Sequence, residues 1–274
     1  MHIRAHSAEC VEEQVSMSGT ETKTEVFTVT EMGEPAAERG TKRTHFFELW
    51  VQPCLAELFG TSLFVFVGCA SVIGNMGATG VTQPAVAHGL ALGVLITLFA
   101  QISGGHFNPA VSLSVYLCGG MQLPLLLPYV LVQMFGGLIG AGLTKVMFPS
   151  NVYAASFGGA FDIADTADLG KTTLAEAVMT LFLTTVVCMG AVNDQTRSPL
   201  APFCIGLTVT ANIFAGGMLS GACMNPARAF GPAVFANHWS FHWIYWVGPT
   251  CGALLTVSFI RLLLGDQKTR VVLK

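Results

Sequence analysis

Apolar residues dominate six long stretches of the chain, and polar or charged residues gather between them. The stretches run over 50 to 74, 84 to 102, 123 to 148, 171 to 192, 200 to 219 and 241 to 264. A helix rises about 1.5 Å per residue and a bilayer core is about 30 Å thick, so a crossing needs roughly 20 apolar residues. Each stretch is long enough. Two shorter apolar runs, 108 to 118 and 225 to 235, would make helices of only about 15 Å, half the bilayer. The pattern predicts an all-α membrane protein with six transmembrane helices and two re-entrant half-helices.

Composition agrees with that reading. Of 274 residues, 52% are hydrophobic and 11% charged, against about 25% charged in an ordinary soluble domain, and mean hydropathy is +0.61. The net charge of -3 averages unlike regions, and no nucleic-acid partner is expected. Arg39, Lys42 and Arg43 precede the first span, Arg197 lies between the fourth and fifth, and Arg261, Lys268, Arg270 and Lys274 close the chain. The other linkers carry Lys145 and Lys171 at their edges together with Asp162, Asp165 and Asp168. The positive-inside rule then places both termini in the cytoplasm and makes 149–170 an extracellular connecting loop.

Residues 1–45 mix Glu9, Glu12, Glu13, Glu21, Glu25, Glu31, Glu34 and Glu38 with threonines and scarcely an apolar run. They are expected to form a disordered cytoplasmic tail, without the apolar core of a cleaved signal. Residues 265–274 are read as a cytoplasmic C-terminal tail. Of eight cysteines, Cys54, Cys69, Cys118, Cys188, Cys204, Cys223 and Cys251 fall in or beside apolar segments, as small hydrophobes do. No His/Cys group has metal-ligand spacing and no nucleophile stands beside a base, so neither a metal, a cofactor nor an enzymatic activity is expected.

The strongest signal is an internal repeat. Ser103-Gly104-Gly105-His106-Phe107-Asn108-Pro109-Ala110-Val111 recurs as Ser220-Gly221-Ala222-Cys223-Met224-Asn225-Pro226-Ala227-Arg228, an offset of 225 - 108 = 117. The same offset carries Gly89-Leu90 onto Gly206-Leu207, and an offset of 119 carries Ala56-Glu57 onto Ala175-Glu176. Residues 46–148 and 171–264 are thus two copies of a three-span unit. Three is odd, so the second copy enters the membrane from the opposite side, and such inverted repeats place the functional site near the midplane.

Asparagine is a favoured N-cap and proline suits the first helical position, so each Asn-Pro-Ala starts a half-helix. The irregular backbone before it is tolerated in a membrane only inside protein or along a watery cavity. Asn108, Pro109, Ala110 and Asn225, Pro226, Ala227 are therefore candidate pore residues. The two helix N-termini point at each other, each equivalent to roughly +0.5 charge, which repels protons and cations. The capping bonds are expected to leave the amide N–H groups of Asn108 and Asn225 for a passing water. Arg228 is a cation in a membrane segment, where it costs at least about 2.5 kcal/mol unless it faces a wet cavity; the alternative is that it snorkels to the interface.

With two Asn-Pro-Ala motifs in register with a three-span repeat, the chain resembles the aquaporin, or major intrinsic protein, family over about residues 46 to 274. The resemblance implies the aquaporin fold, a homotetramer with one pore per subunit, and a selectivity ring that maps onto His88, Ile213, Ala222 and Arg228. Orthodox water channels carry phenylalanine and histidine where this chain has His88 and Ile213. The ring here is similar to those of the aquaporin-8 branch and of plant tonoplast members that pass ammonia. His242-Trp243-Ile244-Tyr245-Trp246 and Lys268-Thr269-Arg270 also look like that branch. The implied solutes are water, ammonia and hydrogen peroxide; glycerol-conducting relatives carry aspartate where this chain has Ala229.

His88 could hydrogen-bond ammonia or take a proton from ammonium, or be satisfied by a backbone carbonyl. Glu57 and Glu176 could relay protons, or accept hydrogen bonds that hold the re-entrant loops; the resemblance implies loop support. Cys223 is a candidate mercurial or oxidation site, and His106 is placed on a vestibule wall. Glycines such as Gly60, Gly93, Gly136, Gly137, Gly140, Gly217 and Gly252 read as helix-packing scaffold. The reading is a passive channel in the plasma membrane, with the mitochondrial inner membrane as the other location. A proton-coupled secondary transporter is the competing class, and a closed adhesive scaffold a third.

Overall fold

The computed structural model describes residues 45–164 and 166–265. Except for His45 and Gly265, the two predicted tails, 1–45 and 265–274, lie outside the described residues. Counting π-helical turns at the ends of three of them, the spans are α1 (Phe47–Asn75), α2 (Thr82–Ser103), α4 (Leu123–Met147), α6 (Leu169–Val192), α7 (Ala201–Ser220) and α9 (Ile244–Leu264). Two short helices, α3 (Pro109–Leu117) and α8 (Pro226–Ala236), follow α2 and α7, and a further short one, α5 (Ser150–Ala155), follows α4. No strand occurs among the described residues.

Local chemistry sets many of these boundaries. Proline stands within the first two positions of α3, α4, α7 and α8, where a missing N–H leaves no bond unmade. Gly104 at φ 88° and Gly221 at φ 84° end α2 and α7 in the left-handed region, turning the chain back into the bundle. Span ends differ from the sequence expectation by up to three residues. The connecting loop departs more: it holds α5 and a 3-10 turn at Phe157–Gly159. Elements of six and three residues are too short to show a period.

Helix packing follows the repeat. The most extensive contacts join α1 to α4 and α6 to α9, which are equivalent pairs, and α2 to α7, which links the halves. Gly136 and Gly140 of α4 abut the carbonyls of Leu58 and Ser62 on α1, while Gly248 and Gly252 of α9 abut those of Thr173 and Ala177 on α6. A β-carbon at Gly136 would lie 2.7 Å from the Leu58 oxygen, so only glycine permits this approach. Without a hydrophobic force between helices in lipid, such close contact is what holds a membrane bundle together. Leu90, Leu98, Leu127, Phe135, Phe182 and Phe203 point outward along the spans, as a lipid-facing belt requires.

At nine and eleven residues, α3 and α8 reach only about half way through a bilayer. They enter from opposite faces and meet tip to tip. Because the six spans alternate in direction, the Phe47 end of α1 and the Leu264 end of α9 share a face with the loop after α6.

Candidate pore

Each half-helix begins at an asparagine in extended conformation, Asn108 at φ -158° and Asn225 at φ -148°. Oδ1 of Asn108 accepts from the Ala110 amide at 2.9 Å, and Oδ1 of Asn225 accepts from Ala227 at 3.0 Å and Arg228 at 3.3 Å. Nδ2 of Asn108 donates to the carbonyl of Met224 at 2.8 Å, and Nδ2 of Asn225 donates to the carbonyl of Phe107 at 2.9 Å. The two tips are thus tied by a reciprocal pair of bonds. Here the structure departs from the sequence expectation: one N–H of each amide is spent on the opposite loop, leaving the other toward the cavity. Phe107 and Met224 take φ of 48° and 54°, a backbone turn that local periodicity does not reveal.

Two buried carboxylates hold these loops. Glu57, fully buried on α1, accepts from Ser103 Oγ at 2.7 Å, from the His106 amide at 2.9 Å and from the Phe107 amide at 2.6 Å. Glu176, equally buried on α6, accepts from Ser220 Oγ at 2.5 Å, the Cys223 amide at 2.8 Å and the Met224 amide at 2.7 Å. Tyr129 and Tyr245 donate to the carbonyls of Ser103 and Ser220 at 2.9 and 2.8 Å. The halves differ here in that Gln133 donates to both Glu57, at 2.9 Å, and Ser112, at 2.8 Å, whereas among the described residues Glu176 has no equivalent side-chain amide donor. The oxygens of both carboxylates accept from donors of the re-entrant loops, and neither residue lines the spaces between the helices.

A continuous cavity of about 580 Å³ runs through the bundle, from Arg197, Ser198 and Pro199 past Asn108 and Asn225 to His88, Ile213, Ala222 and Arg228. A second space of about 400 Å³ lies beyond, among Asn75, Val81, Phe157 and Asp162. The two share Val72, Pro84, Phe161, Ile213, Gly221 and Arg228, so two members of the ring proposed from the sequence, Ile213 and Arg228, stand at their junction, while His88 and Ala222 line the first space. Cys223 also lines the first cavity, with Sγ donating to the Asn225 carbonyl at 3.0 Å. His106 lines it near the opposite mouth and pairs through Nδ1 with Ser112 Oγ at 3.1 Å.

Arg228 is 1% exposed, so it does not snorkel. Its Nε donates to Nε2 of His88 at 3.2 Å, its Nη1 donates to the Gly159 carbonyl at 3.0 Å, and its Cζ sits 4.7 Å from the Phe161 ring centroid. A cation over an aromatic face is attracted by the ring's quadrupole. On the other side of His88, Nδ1 lies 2.7 Å from the Pro84 carbonyl, which can only accept. His88 therefore carries its proton on Nδ1 and offers Nε2 to the guanidinium. Both ring nitrogens have protein partners, the Pro84 carbonyl and Arg228. The carbonyl-satisfied alternative holds at Nδ1 while the ring still walls the cavity.

Sequence reading missed several contributors. Gly159 and Phe161 lie on the connecting loop, where no repeat marks them. Ser103 with Ser220, and Tyr129 with Tyr245, did carry a signal, at offsets of 220 - 103 = 117 and 245 - 129 = 116.

The major intrinsic protein family model matches residues 44–260. Aquaporin-8 of Mus musculus is 51% identical over 259 residues, covering 94% of this chain and 99% of that protein. Aquaporin-8 of Rattus norvegicus is 55% identical over 230 residues, 84% of this chain and 88% of that one. A probable TIP-type aquaporin of Medicago truncatula is 38% identical over 208 residues, 72% and 81% of the two chains. The crystal structure of the aquaglyceroporin from Plasmodium falciparum superimposes with a TM-score of 0.68 at 20% identity, covering 76% of this chain and 94% of that one, a likeness of fold alone. The chain belongs to the major intrinsic protein family, and so is a multi-pass membrane channel for water and small solutes rather than an enzyme.

Proposed function

We propose that this channel conducts water, ammonia and hydrogen peroxide in single file and excludes protons and ions. The observation that carries the reading is the meeting of Asn108 and Asn225 beside a cavity of about 580 Å³, each capping a half-helix whose positive end faces the centre. A water accepting from the remaining amide N–H of either asparagine presents its oxygen to the centre. Its hydrogens then point toward the mouths, and the hydrogen-bonded chain that would pass a proton is broken there.

Solute choice rests on the ring. Arg228 and the half-helix N-termini repel cations in a low-dielectric setting, where a charge counts for far more than in water. Ammonia passes as the neutral molecule; with both nitrogens of His88 engaged, ammonium gives up its proton to vestibule water instead. Ile213 supplies an apolar wall, suiting neutral solutes close to water in size.

The remaining parts of the reading are a homotetramer, both termini in the cytoplasm, and residence in the plasma membrane, with the mitochondrial inner membrane as the other location. Family resemblance supports the tetramer, and the clustering of Arg197 and Arg261 at the face shared by the two chain ends supports the orientation.

Stopped-flow influx of ammonia and hydrogen peroxide into vesicles holding the purified protein tests the reading. Flux is expected to rise linearly with solute and to ignore an imposed proton gradient. Saturation at ordinary concentrations, or acceleration by the gradient, would move the protein to the coupled transporters.

A further inference from the structure

Gly68, on α1, belongs neither to the four-residue ring nor to the glycines that pack helix on helix, yet it lies directly behind the constriction. A β-carbon there would collide with Nε2 of His88, and would sit 2.9 Å from Cδ2 of His88 and 3.1 Å from Nε of Arg228. Among the described residues it is the only glycine whose β-carbon would meet both side chains.

His88 has little freedom to yield along the wall. Its Nδ1 is held at 2.7 Å from the Pro84 carbonyl, and its ring lies edge-on to Phe64, centroids 5.7 Å apart at 79°. The open side of the imidazole is the cavity it lines. Any group added at position 68 therefore drives the ring into the lumen or parts it from Arg228.

We propose that Gly68 is a specificity-determining position. It forms a notch in α1 that seats the imidazole against the guanidinium and keeps the ring open to solutes larger than water. A bare position at 68 and an aromatic ring at 88 form a matched pair, so aperture is set by two residues on different helices. This inference rests on the reading of the ring as the filter. Gly68 is a positioning residue: it acts through His88.

The test compares Gly68→Ala, His88→Ala and the double variant in proteoliposomes, with water and hydrogen peroxide influx measured by stopped flow. Gly68→Ala is expected to lower peroxide permeability about tenfold and water no more than about twofold, the size of effect that one methyl group has in a steric site. On the His88→Ala background the same methyl group is expected to change nothing. If Gly68→Ala fails to reach a monodisperse folded form while the double variant succeeds, the clash is supported.

An unchanged peroxide-to-water ratio in Gly68→Ala overturns the proposal. So does a loss that persists when His88 is alanine, or a double variant that also fails to fold, since the methyl group would then act through α1 itself. Absence of water flux in the unmodified protein contradicts the channel reading, whereas failed rescue contradicts only the notch.

Discussion

Nε of Arg228 donates to Nε2 of His88 across 3.2 Å, so the two polar side chains of the constriction hold each other in place. The bond holds the guanidinium beside the imidazole, whose other nitrogen is taken by the Pro84 carbonyl. In the proposed filter His88 selects by size and by steadying Arg228, whose guanidinium also bonds the Gly159 carbonyl and lies over the Phe161 ring.

Replacing His88 with phenylalanine removes the acceptor for Arg228 and places a larger ring over Gly68. Ammonia flux in proteoliposomes is expected to fall more than water flux. Equal loss of both would remove His88 from solute discrimination.

Glu176 accepts three hydrogen bonds with no charged partner among them. In Glu176→Gln, an NH2 group faces donors that need an acceptor, and each buried donor left unpaired costs about 1–3 kcal/mol. Yield and thermal stability in detergent are expected to drop, while the protein that does fold keeps its ammonia-to-water ratio. Normal yield with altered coupling to protons would contradict a purely supporting role.

Ala222 sits at φ 53°, where a β-carbon costs about 1 kcal/mol, and its equivalent in the first repeat is Gly105 at φ 64°. Ala222→Gly is expected to raise the unfolding midpoint in detergent and to widen the ring, increasing peroxide permeability. A lowered midpoint would show that methyl packing outweighs the backbone strain.

Cys223 lines the cavity within hydrogen-bond reach of the Asn225 carbonyl, so a mercurial attached to it would obstruct the file. Cys223→Ser is expected to conduct water normally and to lose its sensitivity to mercury. Retained sensitivity would pass the role to another thiol.

The spans and half-helices were legible in the sequence because lipid imposes one rule, a long apolar run for each crossing, and because duplication printed the re-entrant motif twice. Arg228 was legible for a related reason: a cation in an apolar segment demands a wet neighbour. Gly159 and Phe161 were not, since they depend on how an unrepeated loop folds over the pore. Gly68 escaped because its importance lies in a neighbour twenty positions away on another helix. The tautomer of His88 likewise follows only from seeing Pro84 and Arg228 on opposite sides of one ring.

The proposed mechanism requires that water cross where protons do not. Osmotic water flux and proton flux, recorded on one preparation of proteoliposomes, test this directly. Rapid, non-saturating water flux with proton leakage no greater than in protein-free vesicles is the expected result. Water flux at the protein-free level, or protons moving with the water, would contradict it.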